Sequence, residues 1–372
     1  VNEGKATRYH RLRRRMSALT VVSSAVGLTA LLISGGAAHL AAALTEFLSA
    51  SGFPGVWLAW PAYAACVWAL LEAVLLPIRF FQGFVLERRY TQSRIQIFRW
   101  VGNHGTTLGL NALVVVAVTC VFRGALAVWP ERWWVLCGLV FVAAMIGLTY
   151  LAPVYLIPSL YRVKPVSRPS LREQLGLVAR QAGVTALPIE EYVIGNFSPK
   201  ARATLVGLGP TRRILVSDTL LADYSDDEIE VVLAHELGHH VHCDIWQLMT
   251  YELTVVFLAL LAADWSSVHL AGLFGISGLD DLAALPLLAL VVGGVTMSVA
   301  PLGHALSRYQ ERRADMFALE TTGKRSALIS SLRRLGEQNL AEERPSRLVE
   351  LLYCSHPPLH RRLAYARLPT GR

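Results

Sequence analysis

Two histidines four residues apart, with a glutamate after the first, stand at His235-Glu236-Leu237-Gly238-His239. On a helix that spacing puts both imidazoles on one face at adjacent turns, where they can hold one zinc ion. Glu236 lies one step round the helix from His235. It can reach a water on the open fourth position and take its proton as the water attacks a carbonyl. Two solvated histidines on a surface helix would carry the same five letters, so the setting has to decide. Ser225-Asp226-Asp227-Glu228 has the form of a capping box and predicts a helix from Asp226 to about His242. Along it Ile229, Val232 and Leu233 recur at three- and four-residue spacing, as an amphipathic helix requires.

Zinc of this kind needs a third protein ligand. His242 shares the face but is seven residues from His235, about 10 Å along the axis, whereas zinc ligands bind at about 2 Å. Cys243 has the same axial problem and His240 points elsewhere. Far downstream, Ser307-Arg308-Tyr309-Gln310-Glu311-Arg312-Arg313-Ala314-Asp315 brings two carboxylates four apart onto one helix face. Glu311 suits a ligand, and Asp315 suits a group that orients a ligand histidine through its other ring nitrogen. Taken alone, the segment also reads as a solvated charged helix end. One Zn2+ per chain is the cofactor expected.

The elements that must position these residues belong to a membrane protein. Of 372 residues 53% are hydrophobic and 17% charged, which excludes a disordered chain and is too apolar for a soluble one. A bilayer core takes about 20 apolar helical residues, and six stretches supply them: Ser17–Leu44, then residues 56–78, 105–128, 133–157, 248–272 and 282–306. The expected organisation is a membrane part at 1–157 with four spans and a catalytic segment at 158–247. Two further spans at 248–306 and a second catalytic segment at 307–372 complete it. Six Lys and Arg precede the first span and five lie in 79–104, against zero, two and zero in 46–56, 123–132 and 264–281. The positive-inside rule therefore makes the N-terminus cytoplasmic, and both catalytic segments with it. His235 and Glu311 fall on the same side by a count that used neither.

The net charge of +8 is carried mostly beside apolar blocks, where it reports orientation rather than nucleic-acid binding. Five scattered cysteines imply no disulfide framework. The set of 31 Arg against 4 Lys fits a GC-rich bacterial genome, hence an inner membrane. Within the polar middle, Ser170–Ala182 predicts an amphipathic helix, and Ala203–Leu208 and Arg213–Ser217 flank Gly209-Pro210 as a hairpin with no long sheet behind it. Its free edge, Ala203, Thr204, Leu205 and Val206, is either structural or a rail on which an extended peptide adds as another strand. Residues 324–353 predict a helix whose Arg333, Arg334, Glu337, Glu342 and Glu343 make a solvated face.

Read in order, these segments resemble the integral-membrane zinc metallopeptidases of the type I CAAX prenyl endopeptidase family, with HtpX-type proteases as relatives. The resemblance runs from Phe84-Val85-Leu86-Glu87-Arg88-Arg89-Tyr90 through Arg213–Leu221 and the HELGH to Glu311-x-x-Ala314-Asp315, and ends at Ser355-His356-Pro357-Pro358. It implies a mainly α, polytopic membrane fold with a zincin-like catalytic domain holding a small β-hairpin or sheet. It also implies zinc on His235, His239 and Glu311, Glu236 as general base, and His356 near the metal in substrate binding or transition-state stabilisation. Peptides or membrane proteins are the substrates implied. Where the family's edge strand has an Asn-Ala pair, this chain has Arg202-Ala203.

Other classes fit less well. Asp226, Asp227, Glu228, Glu230 and Asp244 around the motif disfavour cleavage within hydrocarbon. The external loops are too short for a ligand sensor. A transporter or a non-catalytic zinc scaffold remains as the alternative, but only Glu72 and Glu252 are candidates for ionisable groups inside a span.

Overall fold

Apolar stretches fold as helices because hydrocarbon offers no water to a backbone N–H or C=O, and a helix satisfies each within its own segment. The computed structural model describes residues 3–51, 55–90, 95–184, 188–194 and 200–367. Helix α1 runs Glu3–Ile33 and α2 Gly36–Ala50. α3, Gly55–Phe80, passes through a π-turn at Phe81–Leu86 into α4, Glu87–Arg89. α5 covers Ile97–Val128, and α6, Trp133–Leu151, continues through a second π-turn at Ala152–Leu156 into α7, Ile157–Leu160. The polar middle supplies β1 (Val163–Pro165), α8 (Pro169–Gln181), β2 (Ile189–Tyr192), β3 (Ala203–Val206) and β4 (Arg213–Ser217), then α9 (Asp218–Asp223) and α10 (Asp226–Val241). Two long helices follow, α11 (Asp244–His269) and α12 (Leu285–Thr322). The chain ends in α13 (Arg325–Gln338), α14 (Arg347–Tyr353) and α15 (Leu359–Arg367).

Among the described residues, six helical stretches are long and apolar enough to cross a membrane, Gly4–Ile33, Trp57–Arg89, Ile97–Val128, Pro130–Leu160, Asp244–His269 and Leu282–Thr322. The first differs from its expected boundary. Ser17–Leu44 is not one helix, because Gly35 adopts a left-handed φ of 71° that closes α1 and opens α2. α2 nevertheless adds no crossing. Tyr9 donates to Glu87 at 2.5 Å and Arg14 pairs with Glu342 at 2.5 Å, so the start of α1 lies beside the end of α3 and α4. The end of α1 and the start of α3 then share the opposite side, and α2 begins and finishes there. Its 15 residues measure about 22 Å, short of the roughly 30 Å a crossing needs. Tyr63 pins it by donating to the Ala37 carbonyl at 3.1 Å.

Glu72 pairs with Arg79 at 2.6 Å in the same helix, so this charge is partnered rather than presented as a free intramembrane acid. The last span runs past its apolar window without a break, and α12 carries Glu311 and Asp315 on its polar extension.

The sheet corrects the picture of a lone hairpin. β3 and β4 do pair antiparallel about a 3-10 turn at Gly209–Thr211. β2 adds parallel to β4, and β1, joined to β2 through α8, pairs antiparallel with it, giving the order β1-β2-β4-β3. Strands of three and four residues leave too little alternation to read from sequence. β3 remains an edge. Beneath the sheet one buried cluster joins Leu171 and Leu175 of α8, Ile214 and Val216 of β4, Ile229, Leu233 and Leu237 of α10, and Ala318 and Leu319 of α12.

The expected helix over 324–353 is broken. Leu340 takes a left-handed φ of 49° and buries its side chain with Ala6, Tyr9, Leu86 and Tyr90, which offsets the about 1–2 kcal/mol a left-handed residue costs. Of its charges Arg333 and Glu337 are exposed, whereas Arg334 pairs with Glu228 at 2.9 Å and Glu342 with Arg14.

Candidate active site

The site starts from a capped helix. The Ser225 hydroxyl accepts from the Glu228 N–H at 3.3 Å while Glu228 Oε2 accepts from the Ser225 N–H at 2.9 Å, closing the capping box. With Ile229, Leu233 and Leu237 buried toward the sheet and α8, His235 and Glu236 line the cavity, and His239 faces His235. Gly238 lets α12 come close. A Cβ there would stand 3.0 Å from the Ala314 Cα and 3.3 Å from Phe317, so only glycine admits this approach without displacement.

That approach brings together the three candidate ligands read from the sequence. His235 Nε2 lies 3.2 Å from His239 Nε2 and 3.5 Å from Glu311 Oε2, and His239 Nε2 lies 3.7 Å from Glu311 Oε1. Ligand atoms about 2.0–2.2 Å from a tetrahedral zinc stand roughly 3.3–3.5 Å apart, so the donor set fits the ion. Among the described residues this is the one group of three or more His, Cys, Asp or Glu side chains so arranged. Burial pulls the His235 pKa down, but the Asp315 and Glu311 carboxylates outweigh it and hold the imidazole up at about 10, so the pocket stabilises positive charge at this point.

Asp315 stands where the sequence reading put it, with Oδ1 3.0 Å from His235 Nδ1. Arg362 of α15 grips the same carboxylate at 2.6 and 2.8 Å. Burial pushes the Glu236 carboxyl above its ordinary value, nearer the basicity a proton acceptor needs. Its Oε2 accepts from the Leu205 N–H at 3.1 Å, so the outer edge of β3 faces Glu236. Ala203 and Thr204 line the same cavity of about 450 Å3, with Val232, Leu332 and Arg202. Exposed His356 reaches in from the loop before α15, its Nε2 3.2 Å from Glu311 Oε1.

The other nearby donors stay out. His240 contacts Arg212, His242 bonds the Gly238 carbonyl at 2.8 Å through Nδ1, and Cys243 is exposed. Two groups escaped the sequence reading. Arg362, six residues beyond His356, gave no sign of facing Asp315. Asp244, buried and 2.8 Å from His239 Nδ1, reads in the sequence only as one of several charges near the motif.

Fold and site together define a polytopic membrane metallopeptidase. Residues 165–369 match the model of peptidase family M48, and residues 4–162 match the CAAX prenyl protease N-terminal region described as five membrane helices. The chain belongs to peptidase family M48; it is a multi-pass membrane metalloprotease. It is 30% identical to a protease HtpX homologue of Acidiphilium cryptum over 287 residues, 69% of this chain and 94% of the relative. To the uncharacterized metalloprotease YhfN of Bacillus subtilis it is 27% identical over 297 residues, 79% and 70% of the two chains. Ste24p of S. mikatae has the same fold, with a TM-score of 0.83 at 19% identity over 98% of this chain and 88% of that one. Of the six candidate spans, four fall within the N-terminal region matched at residues 4–162.

Proposed function

We propose that the chain is a zinc-dependent endopeptidase that hydrolyses peptide bonds of polypeptide or membrane-protein substrates at the cytoplasmic face of its membrane. The observation that carries this reading is the placement of Glu236 between the His235, His239 and Glu311 donors and the free edge of β3. His235, His239 and Glu311 would hold one zinc ion, which when bound supplies Lewis-acid polarisation of a water and of the scissile carbonyl. The substrate backbone lies along Ala203–Val206 as an added strand and thereby brings its carbonyl to Glu236. Glu236 takes the proton of the attacking water and passes it to the leaving amine nitrogen. His356, already against Glu311, is placed to donate to the oxygen on which negative charge develops. Asp315 holds the His235 ring, and Arg362 holds Asp315.

The Lys and Arg count of the flanks supports the cytoplasmic side, and the Arg-rich composition supports a bacterial inner membrane. Arg202 in place of the family's Asn leaves the strand's own N–H and C=O groups to bind the substrate backbone. The test is Glu236→Gln. Cleavage of a reporter polypeptide should fall by about 10²–10⁴-fold while zinc content stays at the wild-type level. Unchanged cleavage overturns the mechanism.

A further inference from the structure

His235 and His239 each have a carboxylate near Nδ1, Asp315 Oδ1 at 3.0 Å from His235 and Asp244 Oδ2 in a 2.8 Å hydrogen bond with His239. Behind His235 stand Asp315 and then Arg362; behind His239 stand Asp244 and then Arg313. We propose that Asp244 is the positioning residue for His239, held in place by Arg313, and that the start of the α11 span thereby controls the affinity of the metal site. The inference rests on the reading of His235, His239 and Glu311 as zinc ligands.

Local geometry argues that this contact is built. Asp244 is five residues past His239. On a continuous helix such residues are about 7.5 Å apart along the axis and point roughly 140° away from each other, which forbids a side-chain hydrogen bond. The chain does not continue. Cys243 takes a left-handed φ of 56° between α10 and α11, a conformation that costs a non-glycine residue about 1–2 kcal/mol. The reversal returns Asp244 to His239, with Oδ2 2.8 Å from Nδ1.

The carboxylate is then fixed on its other sides. Arg313 of α12 binds Oδ1, and Gln310 Nε2 donates to the Asp244 carbonyl at 3.3 Å and to Gln247 Oε1 at 3.3 Å. Arg313 lies over the Tyr309 ring at 5.0 Å, which steadies the guanidinium. A carboxylate can only accept, so His239 carries its proton on Nδ1 and keeps the Nε2 lone pair for the ligand cluster. α12 thus supplies the third ligand from Glu311, the His235 partner from Asp315 and the clamp on the His239 partner from Gln310 and Arg313. Any shift of α11 against α12 would disturb His239 before it reached His235.

The experiment measures zinc Kd by chelator competition on the full chain in detergent, for wild type, Asp244→Ala, Asp244→Asn and Arg313→Gln, with thermal unfolding of each metal-free form. Asp244→Ala should weaken zinc by about 10–100-fold. Asp244→Asn should weaken it less, because its Oδ1 still accepts from Nδ1–H. Arg313→Gln, which leaves the carboxylate but frees it, should also lose affinity and carries the test if Asp244→Ala does not fold. Metal-free unfolding should also shift down in Asp244→Ala and Arg313→Gln, since each leaves a charged partner unpaired, so the zinc Kd is the readout that decides. Folded variants that bind zinc as tightly as wild type overturn the proposal, as does a fall in metal-free stability with unchanged zinc affinity. A wild type that binds no zinc overturns the site assignment itself, and this inference with it.

Discussion

Around His235 buried charge is common, and cations answer it: Asp315 has Arg362, Asp244 has Arg313, Glu228 has Arg334 and Glu230 has Lys324. Along α5 and α6 the outward side chains are apolar and open, Leu113 at 64%, Val118 at 61% and Leu148 at 62% exposure. Where these helices do pack, they use bulk and small residues, as at Trp133 against Phe122 or Gly138 against the Phe257 ring. One region is specified by a few directed pairs, so removing one member exposes the other. The other is specified by apolar surface that suits lipid, so it tolerates exchange of one apolar group for another and resists charge.

Substitutions at four positions probe that contrast. Glu311→Ala should abolish stoichiometric zinc binding by the purified protein, measured as metal content, since the two histidines of α10 cannot complete the donor set alone. Zinc retained would move the third ligand to His356 and undo the link between α10 and α12. Arg362→Ala removes the guanidinium shared by Asp315 and Glu311 and leaves the buried Asp315 carboxylate with His235 alone, and about 3–5 kcal/mol of stability should be lost in denaturation of the metal-free protein. A loss no larger than that of a surface change would mean that Asp315 is not held by this pair.

In the spans, Leu113→Arg near the middle of α5 should cost about 2.5–3.5 kcal/mol of insertion, read as a fall in membrane-integrated protein, while Leu113→Ala should stay within about 0.5 kcal/mol. An alanine effect as large as that of a core leucine would show that this face packs against protein and would erase the contrast. Gly238→Ala is the smallest change and the most local. Its methyl would meet Ala314 and Phe317, and overpacking there should cost about 1–3 kcal/mol, seen as a lower unfolding temperature together with weaker zinc binding. Loss of stability without weaker zinc would mean that the α10–α12 approach does not set the ligand distances.

The legible parts of the site were those whose information is short-range. His235, Glu236 and His239 show themselves because helical periodicity converts a spacing into a shared face, and Ser225 with Glu228 marks where that helix begins. Asp244 had a visible clue, a carboxylate five residues beyond the second histidine, but on an unbroken helix that spacing points away. Only the left-handed Cys243 makes it a partner. The α1–α2 break at Gly35 hid inside an uncharged run, because hydropathy sums over a glycine that the backbone cannot ignore.

By itself the sequence determined the membrane character, the six crossing stretches, the helix that carries the two histidines and the carboxylate pair of α12. Each follows from local composition or from a period read within one segment, where the physics is desolvation of the backbone and the geometry of a single helix. The tertiary structure decided what crosses between segments. It set Glu311 opposite His235 through the clearance at Gly238, built β1 and β2 behind the hairpin and gave Asp315 and Asp244 their arginines. Those contacts join residues as far apart as Asp244 and Arg313, and no spacing along the chain encodes them, because a side chain's partner across a packed interface is chosen by how the helices meet.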